Sequence, residues 1–377
     1  MLFVTRAIRG YNGVNGLWAN EGVVAVTIVA FLLVFSVVVF VHELGHFAVA
    51  KLSGVRVEEF GFGYPPRLLR IARRGDTEYT INAIPIGGFV RVAGDENPDD
   101  PRSLTKKSAW VRGAFLLAGP VMNVVLAVVL FAASYMMGVL EPTTGPGVGI
   151  YDVAAGSPAA GAGLRLGDVV LAVNQEPVNT PEALQQMINA HLDQEITLTV
   201  SREGARAPLV VHAMPRSDHP PDQGALGVHT GPPLRRAAYP AGQAIVLGAE
   251  RALGTVVMMV AGLAAMVRGL APVDLAGPIG IAQATGEVIK SGFVQVVEWT
   301  AFLSVNLFII NLLPIPALDG GRLVFVALEL VRGGRRIDPR KEGLVHLVGI
   351  VVLLGLFLVV SYFDLLRLVQ GVQFPGP

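Results

Sequence analysis

The sequence predicts a multi-spanning α-helical membrane protein: four transmembrane helices with an inserted, mainly β domain. Three observations carry this expectation. Of 377 residues, 52% are hydrophobic and only 15% are charged, a balance shifted away from soluble domains towards the membrane class. Apolar runs long enough to cross a bilayer begin near Val23, Ala114, Phe293 and Leu344. Between the second and the third, Gly145 to Thr230 is polar and carries short β-type runs. The formal net charge is zero, so no nucleic-acid partner is expected. There is no Cys, which leaves His, Asp and Glu as the side chains able to hold a metal.

Residues 1–140 form an N-terminal membrane half. It starts with a short, Gly-rich tail over 1–22. Val23 to about Ala50 is the first span, expected to be retained because no small-residue cleavage site follows it. Towards its C-terminal end it reads His42-Glu43-Leu44-Gly45-His46. One helical turn separates the two histidines, so both imidazoles can bind one metal ion, and Glu43 is placed to take a proton from an attacking water. Such groups are costly in an apolar run and mark function. From Lys51 to Arg112 the chain is polar and basic. Arg67–Arg73 and Thr77–Ile84 flank the turn Arg74-Gly75-Asp76 as a β-hairpin on the cytoplasmic side. Pro85-Ile86-Gly87-Gly88-Phe89-Val90 is too apolar for a solvated loop and is expected to dip towards the metal site, with Gly87 and Gly88 as substrate-binding candidates. A small surface hairpin is the plainer alternative. Ala114 to about Val139 is the second span; its Asn123 is expected to bond a neighbouring helix.

Residues 145–230 hold β-type runs at 148–153, 168–173, 196–201 and 209–213, with a helix over 181–190. The segment Gly156-Ser157-Pro158-Ala159-Ala160-Gly161-Ala162-Gly163-Leu164, followed by Leu166-Gly167-Asp168-Val169-Val170, resembles PDZ domains of bacterial proteases. Leu226, Gly227 and Val228 resemble the PDZ carboxylate-binding loop, placed after the last strand as in the circularly permuted form; such domains bind extended peptides at a sheet edge. Residues 240–270 read as an interfacial amphipathic helix, since Glu250, Arg251 and Arg268 leave a clean apolar stretch of marginal length. Residues 275–377 form the C-terminal membrane half. Phe293 to Val331 is broken by Asn311, Pro314, Pro316 and Asp319-Gly320-Gly321, and an interrupted membrane helix normally lines a site. Leu344 to Tyr362 is the last span.

Lys and Arg flanking the spans set the orientation. Lys51, Arg56, Arg102, Lys106, Lys107 and Arg112 lie between the first two spans, and Arg332, Arg335, Arg336, Arg340 and Lys341 precede the last, whereas none lies between Gly113 and Arg165. The hairpin region is therefore expected to face the cytoplasm and the inserted domain the outside. A catalytic zinc takes three protein ligands and keeps one open position. Asp319 is the best third ligand beside His42 and His46; Asp364 and Glu329 are weaker candidates, and capping of the helix restarting at Gly320 is the alternative role for Asp319. An interfacial 240–270 helix lets the broken helix run in the same direction as the first span and bring Asp319 to the depth of the histidines.

The combination of His-Glu-Leu-Gly-His, a distal Asn311-Leu312-Leu313-Pro314-Ile315-Pro316-Ala317-Leu318-Asp319-Gly320-Gly321 segment and a PDZ-like unit between the second and third spans resembles the site-2 protease family. It is most similar to the bacterial RseP-type enzymes. Gly61-Phe62-Gly63, Ala118-Gly119-Pro120 and Leu275-Ala276-Gly277-Pro278-Ile279 belong to the same likeness. The resemblance implies one zinc per chain on His42, His46 and Asp319, Glu43 as general base and a substrate contact at Asn311. It implies an endopeptidase in the bacterial cytoplasmic membrane, cutting within or near transmembrane segments of proteins already trimmed by another protease, such as anti-sigma factors or signal-peptide remnants, in regulated intramembrane proteolysis. The chain shows one PDZ-like unit where some relatives of this type carry two. A non-catalytic membrane scaffold presenting the PDZ-like domain is the alternative; it explains the domain but not Glu43 beside two metal-spaced histidines.

Overall fold

The computed structural model describes residues 21–93, 100–154, 156–220, 223–270 and 276–370; the expected tail over 1–22, apart from its last two residues, and Leu275 lie outside them. The chain divides into two compact units, Met1–Ser134 with Ala241–Pro377, and Tyr135–Pro240.

In the first unit, α1 (Glu21–Leu52) carries the His pair. Val26, Val29 and Leu33 leave its surface apolar and exposed, as suits a helix solvated by lipid. It leads into β1 (Val57–Arg74) and β2 (Thr77–Val92). The hairpin closes at Arg74 opposite Thr77, and Phe60 is in register with both Tyr79 and Val90. The first half of β1 therefore lies between the two halves of β2, a small sheet rather than a simple ribbon. Phe60 anchors it on α1, with ring centroids 5.3 Å from Phe40 and 4.6 Å from Phe47. Next comes α2 (Ala109–Met137).

The second unit is mainly β. β3 (Val139–Pro142) is followed by β4 (Val148–Val153), the short α3 (Pro158–Gly161), β5 (Val169–Val173), β6 (Glu176–Pro177), α4 (Pro181–Asn189), β7 (Ile196–Ser201), β8 (Leu209–Ala213), β9 (Val228–Gly231) and β10 (Leu234–Ala237). The strand order is β8-β7-β5-β4-β9, with β6 added on β5. Val148, Ile150, Val170, Leu184, Ile196 and Leu198 are among the residues of its core. The unit is wider than 145–230 because β3 pairs with β10 and closes its base.

The first unit resumes with α5 (Ala241–Val267), α6 (Pro278–Ser291), α7 (Phe293–Leu312), α8 (Asp319–Val331) and α9 (Pro339–Gln370). Among the described residues, five helices are long and apolar enough to cross a membrane by length and composition: α1, α2, α5, α7 and α9. This is one more than the four expected, and the addition is α5, which the sequence reads as interfacial. Its packing gives the reason. Arg251, which counts against a span, pairs with Glu298 of α7 at 3.2 Å and lies over the Phe131 ring of α2. Ala252, Val256 and Met259, on successive turns, join Ala127 and Phe131 of α2 and Ala301, Val305 and Ile309 of α7 in one cluster. α5 thus lies lengthwise along its neighbours.

The direction of the broken helix survives this change. His46 meets Phe115 and His42 meets Asn123, so α1 runs antiparallel to α2. Glu298 meets Ser134 and Ser304 meets Asn123, so α7 also runs antiparallel to α2. α1 and α7 share a direction and deliver their C-terminal ends to the same depth. α6, 14 residues long and too short to span, stands between α5 and α7, so α7 need not reverse the direction of α5.

Candidate metal centre

The His pair is fixed from α2. His46 Nδ1 lies 2.8 Å from the Phe115 carbonyl. A carbonyl only accepts, so Nδ1 carries the proton and the Nε2 lone pair is left free. His42 Nδ1 is 3.2 Å from the Asn123 carboxamide. As placed, Nδ2 faces the ring and Oδ1 is buried with no hydrogen-bond partner. Turning the amide by 180° puts Oδ1 against His42 Nδ1–H and satisfies both, again leaving Nε2 free. Asn123 is itself fully buried, and its backbone carbonyl accepts from Ser304 of α7 at 2.8 Å.

Asp319 arrives from the other half of the unit. α7 ends at Leu312 and α8 begins at Asp319, with Leu318 at the N-cap and no side-chain capping bond. The capping alternative for Asp319 is therefore not what its side chain does. Its Oδ2 lies 3.2 Å from His42 Nε2 and 3.3 Å from His46 Nε2, and the two Nε2 atoms are 3.1 Å apart. Three lone-pair atoms converge, and Asp319 Oδ2 is buried with no hydrogen-bond partner. A cation reconciles them. Zinc–ligand bonds of about 2.0–2.1 Å in a tetrahedron give ligand–ligand edges of about 3.3 Å, which the three separations match. Gly119 completes the fit: a Cβ there would come within 2.6 Å of His42 Cε1 and 2.7 Å of its Nε2. The donor set, two imidazoles and one carboxylate, is that of a catalytic zinc site with a position left open.

Glu43, half-buried on α1, lies against the backbone of Val90 on β2. The apolar segment before Val90 does dip onto α1. Ser36 donates to the Pro85 carbonyl at 3.0 Å and accepts the Gly87 N–H at 3.1 Å. Gly87, at φ 68°, presses on Val39, where a Cβ would lie 2.7 Å from the Val39 Cβ, and at Gly88 it would lie 3.1 Å from the Phe40 ring. Both glycines thus allow backbone to approach α1 within a turn of His42. Asn311, half-buried, donates to the Leu307 carbonyl of its own helix at 3.0 Å. The weaker ligand candidates have other partners: Asp364 accepts the Gly280 N–H at 2.8 Å at the start of α6, and Glu329 pairs with Arg112 at 2.5 Å and Arg336 at 3.3 Å.

The loop read as a PDZ ligand site lies in the β unit. Leu226 is buried in its core, and its carbonyl accepts from Ala159. Gly227 donates to Gly224 at 2.8 Å, so that N–H is already used within the loop, and Val228 opens the end strand β9. Ser36 and Ser304 are site residues that the sequence reading does not single out, and Gly119 enters it as part of the family likeness with no role at the metal. The signal for Ser36 and Ser304 is a lone hydroxyl in an apolar run.

Residues 30–356 match Peptidase family M50. The chain is 36% identical over 344 residues to a putative zinc metalloprotease of Clostridium acetobutylicum, covering 89% of this chain and 96% of that protein. It is 33% identical over 352 residues to a putative zinc metalloprotease of Nostoc sp., covering 89% and 95%. It is 30% identical over 430 residues to the zinc metalloprotease RasP of Oceanobacillus iheyensis, covering 91% and 99%. Likeness that runs through both membrane halves and both ends of the metal centre makes this chain a member of peptidase family M50, an intramembrane zinc metalloprotease.

Proposed function

We propose that the enzyme hydrolyses peptide bonds within or near the transmembrane segments of membrane proteins, with His42, His46 and Asp319 as zinc ligands and Glu43 as general base. The observation that carries this reading is the convergence of three lone-pair atoms at 3.1–3.3 Å between membrane helices. Zinc, when bound, polarises the scissile carbonyl and makes water a nucleophile near neutral pH. Glu43 takes the proton of the attacking water and passes it to the leaving amide nitrogen. A transmembrane helix hides its amides in i to i−4 bonds, so a substrate must unwind before attack. The half of β2 that ends at Val92 is held on α1 at Gly87 and Gly88 and pairs with β1 on one side; its other edge suits an added substrate strand, with Asn311 as a further contact.

The β unit is read as a single PDZ domain on the extracytoplasmic side of the bacterial cytoplasmic membrane, consistent with its strand order, its two helices and the bare flanks of its neighbouring spans. Substrates are proteins pre-trimmed by another protease, as in regulated intramembrane proteolysis. The lengthwise packing of α5 favours a fifth crossing over the interfacial alternative.

The test compares Glu43→Gln with the parent enzyme in cells. Membrane proteins or stubs that accumulate with E43Q are the substrates, and cleavage should fall by about 10²–10⁴-fold while zinc content is kept. Turnover of E43Q near the parent level would remove Glu43 from the mechanism.

A further inference from the structure

The segment that delivers Asp319 contains a backbone conformation its residue type does not favour. Ala317 has φ 80°, in the left-handed region where an L-residue with a Cβ is strained and glycine is not. Such a conformation persists only where neighbouring structure over-determines it, and it clusters at functional sites. Here the neighbour is α9. The Ala317 N–H donates to His346 Nδ1 at 2.9 Å. His346 is 9% exposed, and its ring packs against Phe325 of α8 with centroids 5.5 Å apart. One turn further on, a Cβ at Gly349 would lie 2.6 Å from the Pro316 carbonyl carbon, so α9 abuts the break directly. As an acceptor at Nδ1, the ring is neutral with its proton on Nε2, which points towards the Glu342 carboxylate at 3.9 Å.

We propose that His346 is the positioning residue for the third zinc ligand: by accepting the Ala317 N–H it locks the left-handed turn that places Asp319 against His42 and His46. It touches neither zinc nor substrate. Without it, Ala317 relaxes to negative φ and the backbone two residues before Asp319 swings, so the carboxylate leaves the metal position. This rests on the reading of Asp319 as a ligand.

The experiment measures zinc retained by purified full-length protein in detergent after dialysis against graded chelator. H346L and H346Q should release zinc at roughly 10- to 100-fold lower chelator, the range for removing a partner that orients a metal ligand. H346N should stay near the parent, because its Oδ1 takes the place of Nδ1, whereas the longer Gln cannot. A317G alone should match the parent, and H346L/A317G should recover most of the retention lost in H346L, since glycine holds positive φ unaided. That rescue separates positioning of the turn from a general packing role. Equal retention by H346L and the parent, or no rescue by A317G, would overturn the proposal. Should H346L not fold, H346Q against H346N decides the same question, with equal retention by the two overturning the proposal. D319A is the control for the underlying reading: if it keeps zinc, the ligand assignment and the proposal fall together, and if it loses zinc while H346L does not, only the proposal falls.

Discussion

Removing Asn123 should weaken the metal centre while all three ligands stay in the chain. Asn123 is fully buried, 3.2 Å from His42 Nδ1, and tied to α7 through Ser304. With Nε2 given to zinc, His42 must carry its proton on Nδ1, and Asn123 Oδ1 is the acceptor within reach. In Asn123→Leu that buried N–H has no partner, which costs about 1–3 kcal/mol. At 1.4 kcal/mol per decade this is roughly 5- to 150-fold in zinc affinity, spanning the range known for such outer partners. Asn123→Asp keeps an acceptor and forms the carboxylate–histidine–metal arrangement, so it should hold zinc at least as well as the parent. Chelator competition on purified protein measures both. Zinc retention by N123L at the parent level, or a loss in N123D as large as in N123L, would refute this role and make Asn123 a packing residue only.

Gly119→Ala should empty the site even though all three ligands remain, because the new Cβ meets the His42 ring at 2.6 Å; zinc content of G119A at parent level would show that α2 can back away. Ser36→Ala should leave zinc bound but loosen the segment Pro85–Gly87 from α1, with a loss of about 1–3 kcal/mol for the two hydrogen bonds. The expected signature is a lower kcat/KM towards transmembrane substrates at unchanged zinc affinity, and an unchanged kcat/KM would count against the strand's part in substrate binding. Single cysteines at Asn179, Arg268 and Arg335 in this Cys-free chain report topology. Asn179 and Arg335 should label from opposite sides, and Arg268 from the side of Arg335 if α5 crosses; labelling of Arg268 with Asn179 would restore the interfacial reading.

The parts of this protein that were legible in the sequence are those in which chemistry is written locally. His42 and His46 share a helix face whatever surrounds them, because four residues make about one turn, and Asp319 is conspicuous as a carboxylate after two prolines in an apolar run. Long apolar runs specify helices in lipid without reference to partners. What stayed hidden depends on pairing over distance. Arg251 reads as a charge that unfits α5 for a bilayer until Glu298, 47 residues on, is seen to neutralise it. Ser36 is indistinguishable in sequence from any hydroxyl that bonds back along its own helix; it acts at the site because Pro85 and Gly87, about 50 residues away, come to it. His346 is hidden for the same reason, being a single polar residue near the start of an apolar helix whose partner is a backbone N–H 29 residues earlier. In a membrane interior each polar group must find a partner or cost several kcal/mol. Isolated polar residues of the spans, Ser36, Asn123, Ser304 and His346 among them, are therefore where the sequence indicates that a contact exists without naming it. Here all four contacts lead to the same place: Ser36 to the β2 segment beside Glu43, Asn123 to His42, Ser304 to Asn123 and His346 to the turn before Asp319.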